Sequence, residues 1–204
     1  MASTGLRLVG TGANIAGDGD DWSDATNITT EADYAITTIG KSGGLSDYLR
    51  GTNLGFSVPS GATVNGVELQ IRHNAQSNAN TSDEFVYLVE NGAIISGCQN
   101  KASATAWDYD PETFTYGGAS DTWNCSLTPT TVNSNTFGAQ IIAQNNGTWL
   151  SEWASVYWIK INVYYTESGG SSNIKSIAGV VQARIKSIAG VAEANIKSVA
   201  GVSN

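Results

Sequence analysis

The stretch VNGVELQIR (64–72) alternates apolar and polar residues with a period of two. In an extended chain Val67, Leu69 and Ile71 fall on one face and Glu68, Gln70 and Arg72 on the other. A helix would scatter these residues around its circumference, whereas a strand with one buried face gathers them. Two further stretches widen the pattern. VYWIKINVYYTE (156–167) sets Tyr157, Ile159, Ile161, Val163 and Tyr165 against Val156, Trp158, Lys160, Asn162 and Tyr164, as in a long strand with a polar-edged outer face. FVYLV (85–89) is apolar on both faces, as expected of a central strand covered on each side. Shorter strand candidates are 4–9, 34–39, 54–58, 92–96, 113–116 and 137–143. Turn pairs separate them: Pro59-Ser60-Gly61, Asn65-Gly66, Asn91-Gly92, Gly117-Gly118 and Asn146-Gly147. No segment before residue 168 has helical periodicity. The predicted fold over residues 1–167 is all-β, an antiparallel two-sheet sandwich of jelly-roll type.

Composition agrees with this. The 204 residues are 41% hydrophobic and only 14% charged, with 23 glycines and 3 prolines, which suits a β domain with many turns. No apolar run reaches membrane-spanning length. The N-terminal MASTGLRLVGTGANIAG has no apolar core of the signal-peptide kind, so synthesis and assembly in a host cytoplasm are expected. Cys98 and Cys125 are too few for a disulfide framework or a paired-cysteine metal site. The expectation is two reduced, half-buried thiols, with a single bridge between them as the second reading.

Ser168-Gly169-Gly170-Ser171-Ser172 reads as a flexible linker. Beyond it the sequence repeats with a period of eleven: NIKSIAGVVQA (173–183), RIKSIAGVAEA (184–194) and NIKSVAGVSN (195–204). Apolar positions Ile174, Ile177, Val181, Ile185, Ile188, Ala192, Ile196 and Val199 follow the spacing of a right-handed supercoil. Gly179, Gly190 and Gly201 would each cost a continuous helix about 1 kcal/mol relative to Ala. Short helices, each stopped by its glycine, are therefore the preferred reading. Either form leaves an apolar stripe that needs a partner, so 173–204 is expected to be a helical docking or oligomerisation tail. Lys175, Arg184, Lys186 and Lys197 against Glu193 give it a net charge of +3. The whole chain carries −8, which leaves −11 for residues 1–172. A body that acidic excludes nucleic acid as a partner.

The chain offers little for catalysis. His73 is the only histidine, and it is expected as a solvated residue at a strand end, before the polar loop QSNANTSD. A Ser-His or Cys-His scheme needs it beside a nucleophile and an orienting carboxylate. Asp18, Asp20, Asp21 and Asp24 could offer oxygen ligands to a hard cation, but their spacing does not match a calcium loop. A solvated acidic turn is the plainer reading, and no cofactor or metal is expected. Of the six tryptophans, Trp149 and Trp153 in NNGTWLSEW lie beside a loop and are the candidates for surface contact with protein or glycan.

GFSVPSGATVNGVELQIR (55–72), TYGGASDTWNCSLTPTTVNSNTFGAQI (115–141) and VYWIKINVYYTE (156–167) together resemble a pattern of phage and prophage virion proteins, and the IKSIAGV repeats resemble tails attached to phage head and tail proteins. Cys125 departs from that pattern, where a small residue such as glycine is expected. The resemblance implies a non-enzymatic structural component of a virion, foremost a capsid decoration, cement or head-fibre protein anchored by its repeats to other virion proteins. A homo-oligomer such as a trimer is the expected assembly, since symmetric sites favour symmetric oligomers. Two alternatives stand beside it: a neck, tail-tip or tail-fibre protein, and a carbohydrate-binding module for a host surface glycan.

Overall fold

The alternating stretch forms strand β6 (Thr63–Ala75), which pairs antiparallel with β11 (Glu152–Thr166) from Thr63 opposite Thr166 to Ala75 opposite Ala154. The computed structural model describes residues 1–168, together with the backbone of 176–177, 180–181, 187–188 and 191–192. The far edge of β11 is taken in turn by β1 (Ala2–Ser3), β2 (Arg7–Leu8) and β4 (Ala35–Ile39), while β9 (Glu112–Gly117) flanks β6. These six strands form one antiparallel sheet. The second sheet runs β3 (Thr11–Ile15), β5 (Tyr48–Thr52), β10 (Gly138–Asn145), β7 (Thr81–Glu90) and β8 (Ala93–Ile94). A single hydrophobic cluster joins residues of both sheets, so the body is a two-sheet antiparallel sandwich, as the alternation predicts. Met1–Thr166 is one compact unit and Glu167–Asn204 a second.

Inward residues of β6 (Val67, Leu69, Ile71) meet Leu49, Val86, Leu88, Ala139 and Ile141 of the opposite sheet, all inaccessible to solvent. Each such aliphatic side chain contributes roughly 1.5–3 kcal/mol by leaving water. Three tryptophans complete this core, each with its indole N–H satisfied. Trp22 donates to the Asp47 carbonyl at 2.9 Å, Trp107 to Asp83 Oδ1 at 2.9 Å and Trp123 to the Val67 carbonyl at 3.0 Å. A buried indole without such a partner would cost about 1–3 kcal/mol.

Several expectations are corrected. On β11 the register shifts between Val156 and Trp158, so one residue is inserted. Ala154 and Val156 face the core before this bulge, and Ile159, Ile161 and Val163 after it. Tyr157, placed on the core face by simple alternation, is pushed out beside Trp158. In FVYLV, Val86 and Leu88 enter the core, but Phe85 and Tyr87 stay half-buried on the outer face. The candidate at 54–58 is no strand. Leu54, Phe56 and Val58 are buried, but Asn133 clamps the backbone instead, accepting from Val58 N and donating to Val58 O at 2.8 Å each. Strands β3 and β5 are unforeseen because their sequences are short and polar. They pair with Gly12 opposite Gly51, where a Cβ at either position would strike Ala25 or Val9.

Cys98 and Cys125 form a disulfide rather than two free thiols. Compartment rules said nothing about geometry. Trp123 and Asn124 both adopt left-handed backbone (φ 58 and 59) and curl their loop back, so that Gln99 N reaches the Trp123 carbonyl at 2.7 Å and the cysteines meet. His73 is likewise not solvated. Trp107 stacks on its ring at 3.8 Å and 20°, Phe114 covers it at 4.5 Å, and neither ring nitrogen has a partner. In the repeats the described residues are extended: Ser176 and Ile177 pair with Val181 and Val180, and Ser187 and Ile188 with Ala192 and Val191; the rest of 173–204, over which the helical expectation runs, lies outside the described residues. β-Branched residues favour that conformation. Ile174, Ile185, Ile196 and Val199 lie outside the described residues.

Two measurements check these points. Burial drives the His73 pKa from 6.5 down to about 3. The unfolded chain therefore binds a proton that the folded one refuses, and stability, complete above about pH 6.5, falls as the pH drops toward 3. His73→Phe should remove about 1.4 kcal/mol per pH unit of that slope between pH 6 and 4 in urea titrations. Asp83, whose carboxyl is pushed up by burial, acts in the opposite sense in both proteins. Identical slopes would show that His73 does not titrate this way. Reducing Cys98–Cys125, which closes a loop with a sequence separation of 27, should lower stability by about 3.5 kcal/mol, read as a drop in the urea midpoint.

Candidate functional site: an aromatic cleft on the outer face of the long strands

The bulge on β11 determines what the outer face of its sheet presents. Trp153 and Ser155 alternate outward, opposite Thr38 and Ile36 of β4, and Ser155 also lies opposite Asn74 of β6. Because the inserted residue turns Tyr157 outward, it joins them instead of entering the core. Tyr34, just ahead of β4, sets its ring against Tyr157 with centroids 5.3 Å apart and planes at 54°. Tyr34, Ile36, Asn74, Trp153, Ser155 and Tyr157 line an open cleft of about 180 Å³. Outside it, Tyr109 meets the Trp153 ring edge-on at 6.2 Å. Tyr34 is 39% and Tyr109 59% exposed, so ring surface remains available to a ligand.

The polar groups of the cleft are unevenly satisfied. Asn74 Nδ2 donates to the Tyr109 carbonyl at 2.8 Å, which fixes the side chain. Its Oδ1 has no partner although the residue is only 6% exposed. A buried acceptor left unpaired costs about 1–3 kcal/mol, and it gains when a hydroxyl donates to it. Burial and the neighbouring Tyr34 push the Tyr157 hydroxyl up, so at neutral pH it is a hydrogen-bond donor. Flat apolar ring faces next to a few fixed polar atoms can hold a ligand that is itself flat, apolar on its faces and hydroxylated at its rim.

Of the residues singled out from sequence, Trp153 is in this cleft and Trp149 is not. Trp149 and Leu150 are 85% and 71% exposed on the loop ahead of β11. Asn145 ties that loop down, with Nδ2 donating to the Gly40 and Leu150 carbonyls and Oδ1 accepting from Gly147 N. The acidic residues do not converge, and among the described residues no group of three His, Cys, Asp or Glu could hold a metal ion. Asp20 accepts from Gly40 N and Asp21 from Asn14. Asp24 is the left-handed residue that caps the 3-10 helix Ala25–Thr29. Asp18 lies on the rim of a second groove, of about 370 Å³, with Tyr48, Phe85 and Ile142 of the other sheet.

That groove is organised by Asp47, which the sequence did not single out. Burial raises its carboxyl, but hydrogen bonds from Gly17, Asn14 and Gly19 outweigh burial and hold it below the usual carboxylate range. Its oxygens are thereby committed to the protein. Tyr34, Asn74 and Tyr157 were also missed. The outward triplet Trp153-x-Ser155-x-Tyr157 was the available signal, hidden because unbroken alternation assigns Tyr157 to the core.

No family model matches the chain, and no curated protein matches it. Solved structures do. A family 4 carbohydrate-binding module is similar at 13% identity with a TM-score of 0.41, covering 78% of this chain and 94% of that one. A family 29 carbohydrate-binding module from Piromyces equi matches at 12% identity and a TM-score of 0.34, covering 79% and 91%. A xylan-binding module of family 15 matches at 11% identity and 0.36, covering 81% and 93%. At these values the likeness says nothing about a ligand for this chain.

Proposed function

We propose that the body of this chain is a non-catalytic saccharide-binding domain, and that a sugar lies in the cleft of Tyr34, Trp153 and Tyr157. The observation that carries this reading is the outward turn of Tyr157 at the bulge. It completes a three-ring cleft over a fixed amide whose oxygen lacks a partner. A pyranose presents C–H faces to the rings and hydroxyls to Asn74 and Ser155. The single histidine is sealed between Trp107 and Phe114, away from solvent, which supports binding without catalysis.

A phage particle is the setting we propose, with the body displayed and residues 173–204 docking on other virion proteins or on further copies of the chain. The observation that favours it is the threefold eleven-residue repeat after a Gly/Ser linker, with a charge opposite to that of the body. Stacked repeats that cannot bury an apolar face alone need a partner surface.

Isothermal titration against a panel of oligosaccharides tests the first reading. Trp153→Ala and Tyr157→Ala should each weaken binding at least about tenfold, the effect of losing roughly 1.4 kcal/mol of stacking. Trp149→Ala, outside the cleft, should leave affinity unchanged. Equal affinities for all four proteins would remove the cleft from the account. The second reading is checked by deleting 173–204. The shortened chain should stay soluble and folded but be absent from purified particles by quantitative mass spectrometry. Undiminished incorporation would exclude the tail as the anchor.

A further inference from the structure

We infer that the saccharide held in this cleft is acidic, of the hexuronate class, with its carboxylate taken by Arg72. This rests on the saccharide reading above and specifies its ligand. Arg72 stands two positions before Asn74 on β6, hence on the same outer face, with Trp158 of β11 opposite it on one side and Thr113 of β9 on the other. Its guanidinium carbon lies 6.0 Å from the centroid of the Tyr157 ring, which forms one wall of the cleft.

The notable feature of Arg72 is the missing counter-charge. Residues 1–172 carry a net −11, so carboxylates are plentiful. The ion pairs among the described residues are nevertheless Lys101–Asp121 and Lys160–Glu31, and Arg72 belongs to neither. Lys160, the neighbouring cation on this face, lies over Trp158 at 4.4 Å and is already neutralised by Glu31 at 2.9 Å. Arg72 is thus half-buried and fixed against a ring. Among the described residues its donors have no hydrogen-bond acceptor.

The chemistry of the group selects the ligand. A guanidinium is a planar fork of donors that matches a carboxylate with two parallel hydrogen bonds, and stacking on Tyr157 orients it before the ligand arrives. A pyranose lying against Tyr157 projects its C5 substituent from the ring edge. In a neutral hexose that substituent is a hydroxymethyl group, which offers Arg72 one uncharged acceptor and cannot fill both prongs of the fork. In a hexuronate it is a carboxylate, and the fork is filled. An Asp- or Glu-rich protein surface would also supply carboxylates, but it offers no flat face for Tyr34, Trp153 and Tyr157.

The experiment uses the full chain and paired probes: trigalacturonate, trimannuronate and hyaluronan tetrasaccharide, each beside its carboxyl-reduced neutral counterpart. Titrations run at low and at physiological ionic strength. At least one acid should bind about tenfold or more tighter than its reduced partner, with the gap narrowing as salt is added. Arg72→Met should abolish the gap, so that each acid binds no tighter than its reduced form. Arg72→Lys, which keeps the charge and the fold but loses the fork, should retain only part of it. Equal affinity for each acid and its reduced form, or a preference that survives Arg72→Met, would overturn the assignment to Arg72 and leave the saccharide reading intact. Absence of binding by every acidic and neutral probe would overturn the saccharide reading itself.

Discussion

The face that bears the cleft follows from the pairing of β6 with β11 and from the residue inserted between Val156 and Trp158. Two strands of this length could pair in perfect register, and then Tyr157 would be one more core side chain. The insertion at Val156/Trp158 breaks the alternation, so that inward and outward residues exchange parity along β11. Ala154 and Val156 on one side of it, and Ile159, Ile161 and Val163 on the other, remain in the core, so the bulge costs little burial. In exchange two consecutive aromatic residues, Tyr157 and Trp158, stand on the outer face. One closes the cleft with Tyr34, and the other supports Lys160.

Beneath that face the core contains a polar chain that fixes the position of β6. Asp83 accepts from Ser103 N, from the Trp107 indole and from the Tyr116 hydroxyl, and Trp107 in turn lies flat on His73. Burial pushes the Asp83 carboxyl up and the Tyr116 hydroxyl up with it, so the two resist ionising together. Networks of this kind stabilise only when their members are satisfied. Asp83 is satisfied and His73 is not. The stacked histidine therefore contributes ring packing at the cost of an unpaired N–H, and it makes the sandwich sensitive to acid. His73 and Asn74 are adjacent on β6, with the first locked into the core and the second lining the cleft. The floor of the site is thus carried by a strand whose other face is packed into the core.

How much of this was legible depends on whether the deciding contact is local. The strand at 64–72 was readable because period-two alternation is a property of neighbouring residues, and Trp153 was readable because a loop precedes it. The bulge was not, since a register shift shows only against the partner strand. His73 looked solvated because a polar loop follows it in sequence. Trp107 and Phe114, which cover it, arrive from elsewhere in the chain. The disulfide ranked second to free thiols for the same reason: the left-handed pair Trp123-Asn124 brings Cys125 back to Cys98, and no rule about compartments contains that turn. Arg72 was visible as an outward residue, but its lack of a carboxylate partner is a statement about the whole surface.

The size of the cleft links the two proposals. A depression of about 180 Å³ admits little more than one sugar ring with part of the next, so few atoms contribute to binding. Association first has to offset several kcal/mol of lost freedom, which keeps a single shallow site weak. Weak sites become effective adhesion when several are held within reach of one surface, because each later contact is made at a high effective concentration. The proposed docking of residues 173–204 on other virion proteins or on further copies would supply that arrangement, since it would hold several bodies within reach of one surface. The acidic body fits the same scheme. Net repulsion would keep neighbouring bodies apart, and a polyanionic glycan would be deterred except beside the rings, where Arg72 has no carboxylate partner among the described residues. Under the proposed reading the negative charge of the domain would supply selectivity against loose electrostatic adsorption, and the cleft would supply the contact.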